Sequence, residues 1–309
     1  MRALLIANPK ATSTSRRIRD VMIRSFAGDL DLDIEETTHR GHATELGRRA
    51  VKDHFDVVVV LGGDGTINEV VNGLLAQDAP ATDRPALAVV PGGSANVFAR
   101  SLGLPNNSIG ALQPILDALR AGRYRTVGLG RADDRYFTFC AGVGWDAEVI
   151  RAVEQRRGTG SRANPALYVR TALEQFISGT DRRRPAITLE RPGLPPLRGL
   201  FLAIVSNTRP WTYLGPRPVN TSPEADINLG LDVFGLRGLG LAPTLAVVAQ
   251  LMLPLSRPVR GRHVVNVHDT AELTIRARRP IAFQVDGDYI GEREAITFRA
   301  IPKAVRIVI

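Results

Sequence analysis

Two hydrophobic rhythms divide this chain. Through residues 1–125, unbroken apolar runs alternate with segments whose apolar positions recur every three or four residues. That is the pattern of strands buried on both faces, each followed by an amphipathic helix. It predicts strands at 2–7, 30–37, 57–61 and 86–90, helices at 15–26, 43–53 and 66–75, and a further helical spacing at Val97, Phe98 and Leu102. Such alternation predicts an open parallel sheet with helices on both faces. The rhythm changes at Arg120–Arg125. From Tyr124 onward the apolar runs are short and separated by turn residues and prolines, at 136–141, 186–190, 200–206, 230–234, 271–276 and 281–285. These predict an antiparallel sheet or sandwich. Helical insertions are predicted at 146–156, 163–178 and 241–253, and a last strand at 304–309. The expected fold class is an α/β domain over 1–125 followed by a mainly antiparallel β-sandwich domain over 126–303.

The segment Leu239–Leu255 carries no charge over 17 residues, which reaches only the lower edge of membrane-spanning length. Gly240, Pro243, Gln250 and Pro254 interrupt it. A short apolar helix that covers a sheet or lines an apolar pocket is the better account, with core packing expected ahead of contact with a lipid.

Candidate chemistry gathers where the third and fourth predicted strands end. The run Asp56-Val57-Val58-Val59-Val60-Leu61 delivers Gly62, Gly63, Asp64, Gly65, Thr66, Ile67, Asn68 and Glu69 into a helical pattern. Three glycines in four residues let the backbone approach a ligand closely, and the following helix presents its positive end, which suits a phosphate. Asp64 adds a carboxylate able to hold Mg²⁺ or orient a hydroxyl. A glycine turn of this kind also occurs for purely structural reasons, but a second one follows. The strand at 86–90 leads into Pro91-Gly92-Gly93-Ser94-Ala95-Asn96, again at a helix start. Ser94 and Asn96 offer neutral hydrogen-bonding groups there, although an ordinary helix cap accounts for Asn96 equally well.

Composition narrows the setting. With 309 residues, 44% hydrophobic and 23% charged, the chain is ordinary globular material with room for two domains. A single cysteine, Cys140, excludes an internal disulfide framework and a cysteine-based zinc site, in keeping with a reducing cytoplasm, and its apolar surroundings mark it as a core residue. The N-terminal apolar run reads as the first strand, being too short for a signal peptide. Net charge is +9, and only three of the 40 basic residues are lysines: Lys10, Lys52 and Lys303. The positive field suits a nucleotide, acidic lipid headgroups or nucleic acid. No nucleic-acid module is recognisable and aromatics make up only 6%, so no nucleic-acid partner is expected and a membrane surface is the better-suited polyanion. His39, His42, His54, His263 and His268 show no metal-ligand spacing.

The paired turns resemble those of the bacterial diacylglycerol kinase-like lipid kinases, a family that includes the sphingosine kinases, and the resemblance runs nearly end to end. Gly-Gly-Asp-Gly-Thr is intact at Gly62–Thr66, with Asn68 and Glu69 in their usual places, and the second motif is recognisable at Pro91–Arg100. The first motif is shared with NAD kinases and 6-phosphofructokinases, whose nucleotide domains are similar; the Ser-Ala-Asn-x-Phe-Ala-Arg run from Ser94 to Arg100 points to lipid kinases.

The resemblance implies a 6-phosphofructokinase/NAD kinase-like nucleotide domain over 1–125, to which the strand at 304–309 returns, and a lipid-substrate domain over 126–303. It implies ATP with Mg²⁺ as cofactors, the nucleotide being held by the loop Asn8, Pro9, Lys10, Ala11 and Thr12, by Thr37 or Thr38, by Gly62–Glu69, and by Gly93, Ser94 and Asn96. Asp64 joins the catalytic set. The base falls in Gln284-Val285-Asp286-Gly287-Asp288, which resembles the family's Asp-Gly-Glu; two carboxylates flank a glycine, and the choice between Asp286 and Asp288 stays open. The family's structural Mg²⁺ loop corresponds to Asp226–Asp232, where Leu229 replaces the acid, leaving the backbone carbonyls of Asp226 and Leu231 as weak ligands. Ala11-Thr12, Val97 and Asp288 also depart from the family pattern.

The implied function is transfer of the γ-phosphate of ATP to a lipid alcohol, diacylglycerol by default, by a cytoplasmic enzyme peripherally docked on an anionic inner membrane face. The nucleotide is expected in a cleft between the domains, with the lipid hydroxyl meeting Asp286 or Asp288 across it. Alternatives are a soluble NAD kinase-like enzyme and a catalytically inactive lipid- or nucleotide-binding protein. A second copy of the chain stays open as a partner.

Overall fold

The structure is a computed structural model that describes residues 1–158, 170–172, 174, 185–253 and 257–309. The helix predicted at 163–178 lies outside the described residues except at 170–172 and 174, as do residues 254 and 255 of the uncharged segment. The chain divides into two compact units, Met1–Leu129 with Pro302–Ile309, and Gly130–Ile301.

In the first unit β1 (Arg2–Ala7), β2 (Asp31–Glu36), β3 (Val57–Gly62) and β4 (Ala86–Pro91) run parallel in the order β4-β3-β1-β2. Every residue of β3 and β4 is buried, as unbroken β-branched runs require. Near the C-terminus, Ile307 pairs in parallel with Leu87 on the outer side of β4. The helices are α1 (Arg16–Ala27), α2 (His42–Lys52), α3 (Asp64–Leu74), α4 (Val97–Ser101) and α5 (Ser108–Arg120). Ser15 starts α1 by accepting from Ile18 N at 3.2 Å, and Asn107 starts α5 by accepting from Gly110 N at 2.6 Å, each satisfying a first-turn donor. On the edge strand β2, Asp33, Glu35 and Glu36 pair with Arg2, Arg49 and Arg19, a charged fringe that discourages edge-to-edge pairing.

Strand β5 (Tyr124–Ala132) leads into the second unit. There β6 (Arg135–Phe137), β7 (Cys140–Gly144), helix α6 (Trp145–Gly158), β8 (Ile187–Arg191), β9 (Leu194–Leu200), β10 (Leu202–Ser206), β11 (Thr212–Leu214), β12 (Arg217–Val219), β13 (Leu231–Leu236), helix α7 (Leu241–Leu251), β14 (Val264–Thr270), β15 (Glu272–Val285) and β16 (Asp288–Val308) follow. Antiparallel neighbours run in the order β14-β13-β10-β7-β15-β16. Long β15 pairs with β8 over Thr274–Ala277 and with β7 over Phe283–Val285. The expected sandwich is thus realised by a single sheet that bends through β15 around one core. Phe298 meets Phe137 and Phe283 edge-to-face at 6.3 Å at its centre.

Three departures from the sequence pattern have local causes. The strand predicted at 136–141 is split after Phe137, because the N–H groups of Thr138, Phe139 and Cys140 turn toward a carboxylate. The strands predicted at 271–276 and 281–285 are one, a register shift between Arg276 and Ile281 absorbing the polar stretch between them. Strand β9 contains Pro195 and Pro196, tolerated because it pairs only with β8 and lies at an edge.

The uncharged segment forms α7, but only Thr244 and Val247 of it are buried while Leu241, Leu245 and Val248 are exposed. Core packing was the expectation; two buried positions three apart make too narrow a stripe for it. No helix among the described residues is long and apolar enough to cross a membrane.

Candidate active site

In the first unit the loops after β1, β3 and β4 come together at the carboxyl ends of adjacent parallel strands. The chain order reverses between β1 and β3, which is where open α/β sheets leave a crevice for ligands. Asn8 Nδ2 donates to Thr66 Oγ1 at 2.9 Å across that point, and Asn8 Oδ1 accepts from Lys10 N at 2.9 Å. Ser13 N donates to Gly92 O at 2.8 Å, drawing the rest of the loop over the second glycine turn.

The two glycine turns touch. A Cβ on Gly93 would stand 2.7 Å from Gly63 Cα, so no side chain fits between them. Asn96 has left-handed backbone at φ 48, and its side chain folds back, accepting from Gly93 N at 2.8 Å and donating to Gly93 O at 2.9 Å. Asp64 ties the first turn to the helix after the second: its carboxylate accepts from Val97 N and Phe98 N, both at 3.0 Å. Ser94 is exposed at the tip.

The remaining predicted nucleotide residues divide. Thr37 follows β2, buried, its N–H donating to Ala7 O at 2.9 Å; Thr38 Oγ1 lies 2.9 Å from His39 Nδ1 and 3.2 Å from His42 Nδ1. Pro9, Lys10 and Thr12 are exposed on the first loop, with Ala11 half-buried. Gly62 and Gly65 belong to the first turn. Ile67 and Asn68 are buried inside it, Asn68 accepting from Asn72 Nδ2 at 2.8 Å through its backbone carbonyl. Glu69 points to α2, whose start it caps by accepting from Gly41 N at 2.9 Å and Ala43 N at 3.2 Å. Ile67 and Asn68 are thus buried within the first unit, and Glu69 is engaged at the start of α2. Sequence reasoning missed Thr14, whose buried hydroxyl has no hydrogen-bond partner and lies where a Gly92 Cβ would come within 2.6 Å. An unsatisfied donor beside a bare glycine turn fits a phosphate-bearing ligand.

In the second unit Asp286 and Gly287 form the turn of the β15–β16 hairpin with φ values of 48 and 82, the left-handed pair that an Asp-Gly hairpin favours. The Asp286 carboxylate is buried and accepts four hydrogen bonds, from Thr138 N at 2.7 Å, Thr138 Oγ1 at 2.9 Å, Phe139 N at 3.0 Å and Cys140 N at 3.1 Å. Asp288, one residue past the turn, is partly exposed, and next to it Tyr289 N donates to Glu154 of α6 at 2.9 Å.

Beneath the turn lies an acid that the sequence reading passed over. Asp146, in the first turn of α6, accepts from Gln284 Nε2 at 2.8 Å, while Gln284 Oε1 accepts from Gly287 N at 2.9 Å. Burial pushes the Asp146 carboxyl up to about 6, the Gln284 donor opposing the shift. A Cβ on Gly142 would fall 1.8 Å from Asp146 Oδ2. The signal was present: Gly142-Val143-Gly144-Trp145-Asp146 repeats the strand, glycine, helix and early acid of Gly62–Asp64.

The residues aligned with the family's structural Mg²⁺ loop do not fit a cation. Asp226 Oδ1 accepts from Asn228 N at 2.9 Å and its carbonyl from Leu229 N at 3.0 Å, while Leu231 is tied into the β13–β14 pairing. Nearby Asp232, raised by burial against the pull of Asp269 N–H and His268, pairs with His268 Nδ1 at 2.9 Å. Among the described residues no three His, Cys, Asp or Glu side chains are grouped to hold a metal. Mg²⁺ accompanying a nucleotide needs no such cage, since phosphates and water supply most of its ligands.

Residues 2–132 match the family described as Diacylglycerol kinase catalytic domain. The chain is 27% identical over 297 residues to "Diacylglycerol kinase" of Bacillus subtilis (strain 168), covering 94% of this chain and 90% of that protein. It is 36% identical over 145 residues to "Diacylglycerol kinase" of Staphylococcus aureus (strain JH9), covering 46% of this chain and 44% of that protein. A crystal structure from Bacillus anthracis str. Sterne has the same fold, with a TM-score of 0.78 at 21% identity over 99% of this chain and 96% of that one. Motif and relatives point the same way: residues 2–132 match the catalytic domain of diacylglycerol kinases, and the chain is similar to diacylglycerol kinases over nearly its whole length.

Proposed function

We propose that this protein moves the γ-phosphate of ATP to the hydroxyl of diacylglycerol, giving phosphatidic acid, and that it works on the cytoplasmic face of an anionic membrane. The observation that carries the reading is the pair of touching glycine turns, Gly62–Thr66 and Pro91–Asn96, beside the Asn8 loop: bare backbone, a helix start and the Thr14 hydroxyl suit a polyphosphate. In this reading the Asn8–Thr12 loop, Gly62–Thr66, Gly93 and Ser94 bind the nucleotide, and Asp64 is a positioning residue that keeps the two turns together. Mg²⁺ brought in with the nucleotide would neutralise charge on the transferring group, and Asp64 is the residue of the first glycine turn that would help to hold it.

Asp288 takes the role of base. Asp286 must release hydrogen bonds before it accepts a proton, whereas Asp288 stands past the turn that Asp286 anchors. The acceptor oxygen bonds to the γ-phosphorus, the bond from that phosphorus to the β–γ bridging oxygen breaks, ADP leaves, and the hydroxyl proton passes to the Asp288 carboxylate. Transfer of labelled γ-phosphate from ATP and Mg²⁺ into a panel of lipid alcohols in anionic vesicles, with NAD as a soluble control, tests this. Label is expected in diacylglycerol; label only in NAD, or in nothing while ATP binds, overturns the reading.

A further inference from the structure

We propose that helix α7 and the arginine-bearing stretch at residues 257–262 form the surface by which this chain docks on a bilayer of acidic lipids, an inference that deepens the lipid kinase reading and rests on it. A surface helix ordinarily turns charged side chains to water. Here Leu241, Leu245, Val248 and Leu253 are 63%, 57%, 41% and 54% exposed, and no charged residue occurs from 238 to 256. Arginine flanks this apolar segment in the sequence: between Asp232 and Asp269 the chain has Arg237, Arg257, Arg260 and Arg262 and not one acid. All four are exposed.

Hydrogen bonds hold the two features together. Gln250, on α7, donates from Nε2 to Arg260 O at 2.9 Å and accepts from Arg260 N at 3.0 Å. Arg237 N donates to His263 O at 2.8 Å, fastening the residues before the helix to the same loop. Leucines flanked by arginines match an acidic bilayer, the former entering the acyl boundary and the latter staying with the phosphates. A second copy of the chain fits less well, because a two-fold contact through α7 would set four arginines against four.

The test is sedimentation of the full chain with vesicles of phosphatidylcholine alone and of phosphatidylcholine with phosphatidylglycerol, for wild type, L241S/L245S and R257Q/R260Q/R262Q. Wild type is expected on the phosphatidylglycerol vesicles, with affinity falling on the order of tenfold in the leucine variant and a hundredfold in the arginine variant. Both variants are expected to keep transfer to a short-chain diacylglycerol in free solution while losing transfer to a long-chain one in vesicles. Undiminished vesicle binding by both variants overturns the proposal. So does a wild-type dimer that L241S/L245S dissociates while vesicle binding persists, since a second copy then covers the helix. A wild type that binds acidic vesicles through α7 yet phosphorylates no lipid overturns the proposed function and upholds the docking surface.

Discussion

Asp286 grips Thr138 twice, through its backbone N–H at 2.7 Å and its hydroxyl at 2.9 Å, across 148 positions of sequence. Asp286 thus holds the turn, and in the proposed reaction Asp288, one residue past it, is left to act as the base.

Replacing each acid by its amide separates the duties. Asp286→Asn turns an NH₂ toward donors that lose their acceptor, and the variant is expected to lose about 3 kcal/mol of stability. Asp288→Asn is expected to stay within about 0.5 kcal/mol of wild type while kcat falls on the order of 10²- to 10⁴-fold. Urea unfolding and phosphoryl transfer measured on both variants decide it; the reverse pattern would assign the base to Asp286.

Asp146 gives a pH dependence of definite sign. Its carboxyl ionises near 3.8 in the unfolded chain and near 6 when buried. Between those values the folded state keeps a proton that the unfolded state has released, so stability from this residue falls as pH rises through the window, by roughly 3 kcal/mol in all. Asp146→Asn keeps an acceptor for Gln284 without the charge. Its advantage over wild type should be absent below the window, grow through it and stay level above it; a wild type more stable than the variant at pH 8 contradicts a buried neutral acid.

Gly93→Ala places a methyl 2.7 Å from Gly63 Cα and 3.0 Å from Asn96 Oδ1. The turns must part, at a cost of about 1–3 kcal/mol. KM for ATP should rise more than tenfold, whereas a bound lipid acceptor should be felt equally by variant and wild type. An unchanged KM for ATP would remove the glycine turns from the nucleotide site.

Chelation separates the two metal sites that the family resemblance implies. EDTA is expected to stop phosphoryl transfer and added Mg²⁺ to restore it, with Tm unmoved throughout. A drop in Tm would show that Asp226–Asp232 holds a cation despite Leu229.

Most of the first unit was legible because a parallel sheet writes itself into sequence locally: β3 and β4 are apolar at every position, and Gly62 and Gly93 stand where those strands end. The second unit was less so. Its pairings are between distant residues, and whether Glu272–Val285 is one strand or two depends on neighbours that no short window contains. Side-chain duties were hardest. Nothing around Glu69 announces that it caps α2, and Asp146 shows its character only once β7 and Gln284 surround it. The apolar segment at Leu239–Leu255 was seen, but which of its faces met the protein was set by tertiary packing.

Cys140, 2% exposed, donates its N–H to Asp286, and Gln284 Nε2 lies 3.9 Å from its sulfur. The chain's one thiol thus serves as a built-in clock for the β15–β16 hairpin. A thiol reagent reaches a side chain this buried only when the structure around it opens, so the native-state labelling rate reads how often this region opens, and its slowing when ATP and lipid are added would measure how far they hold the hairpin shut.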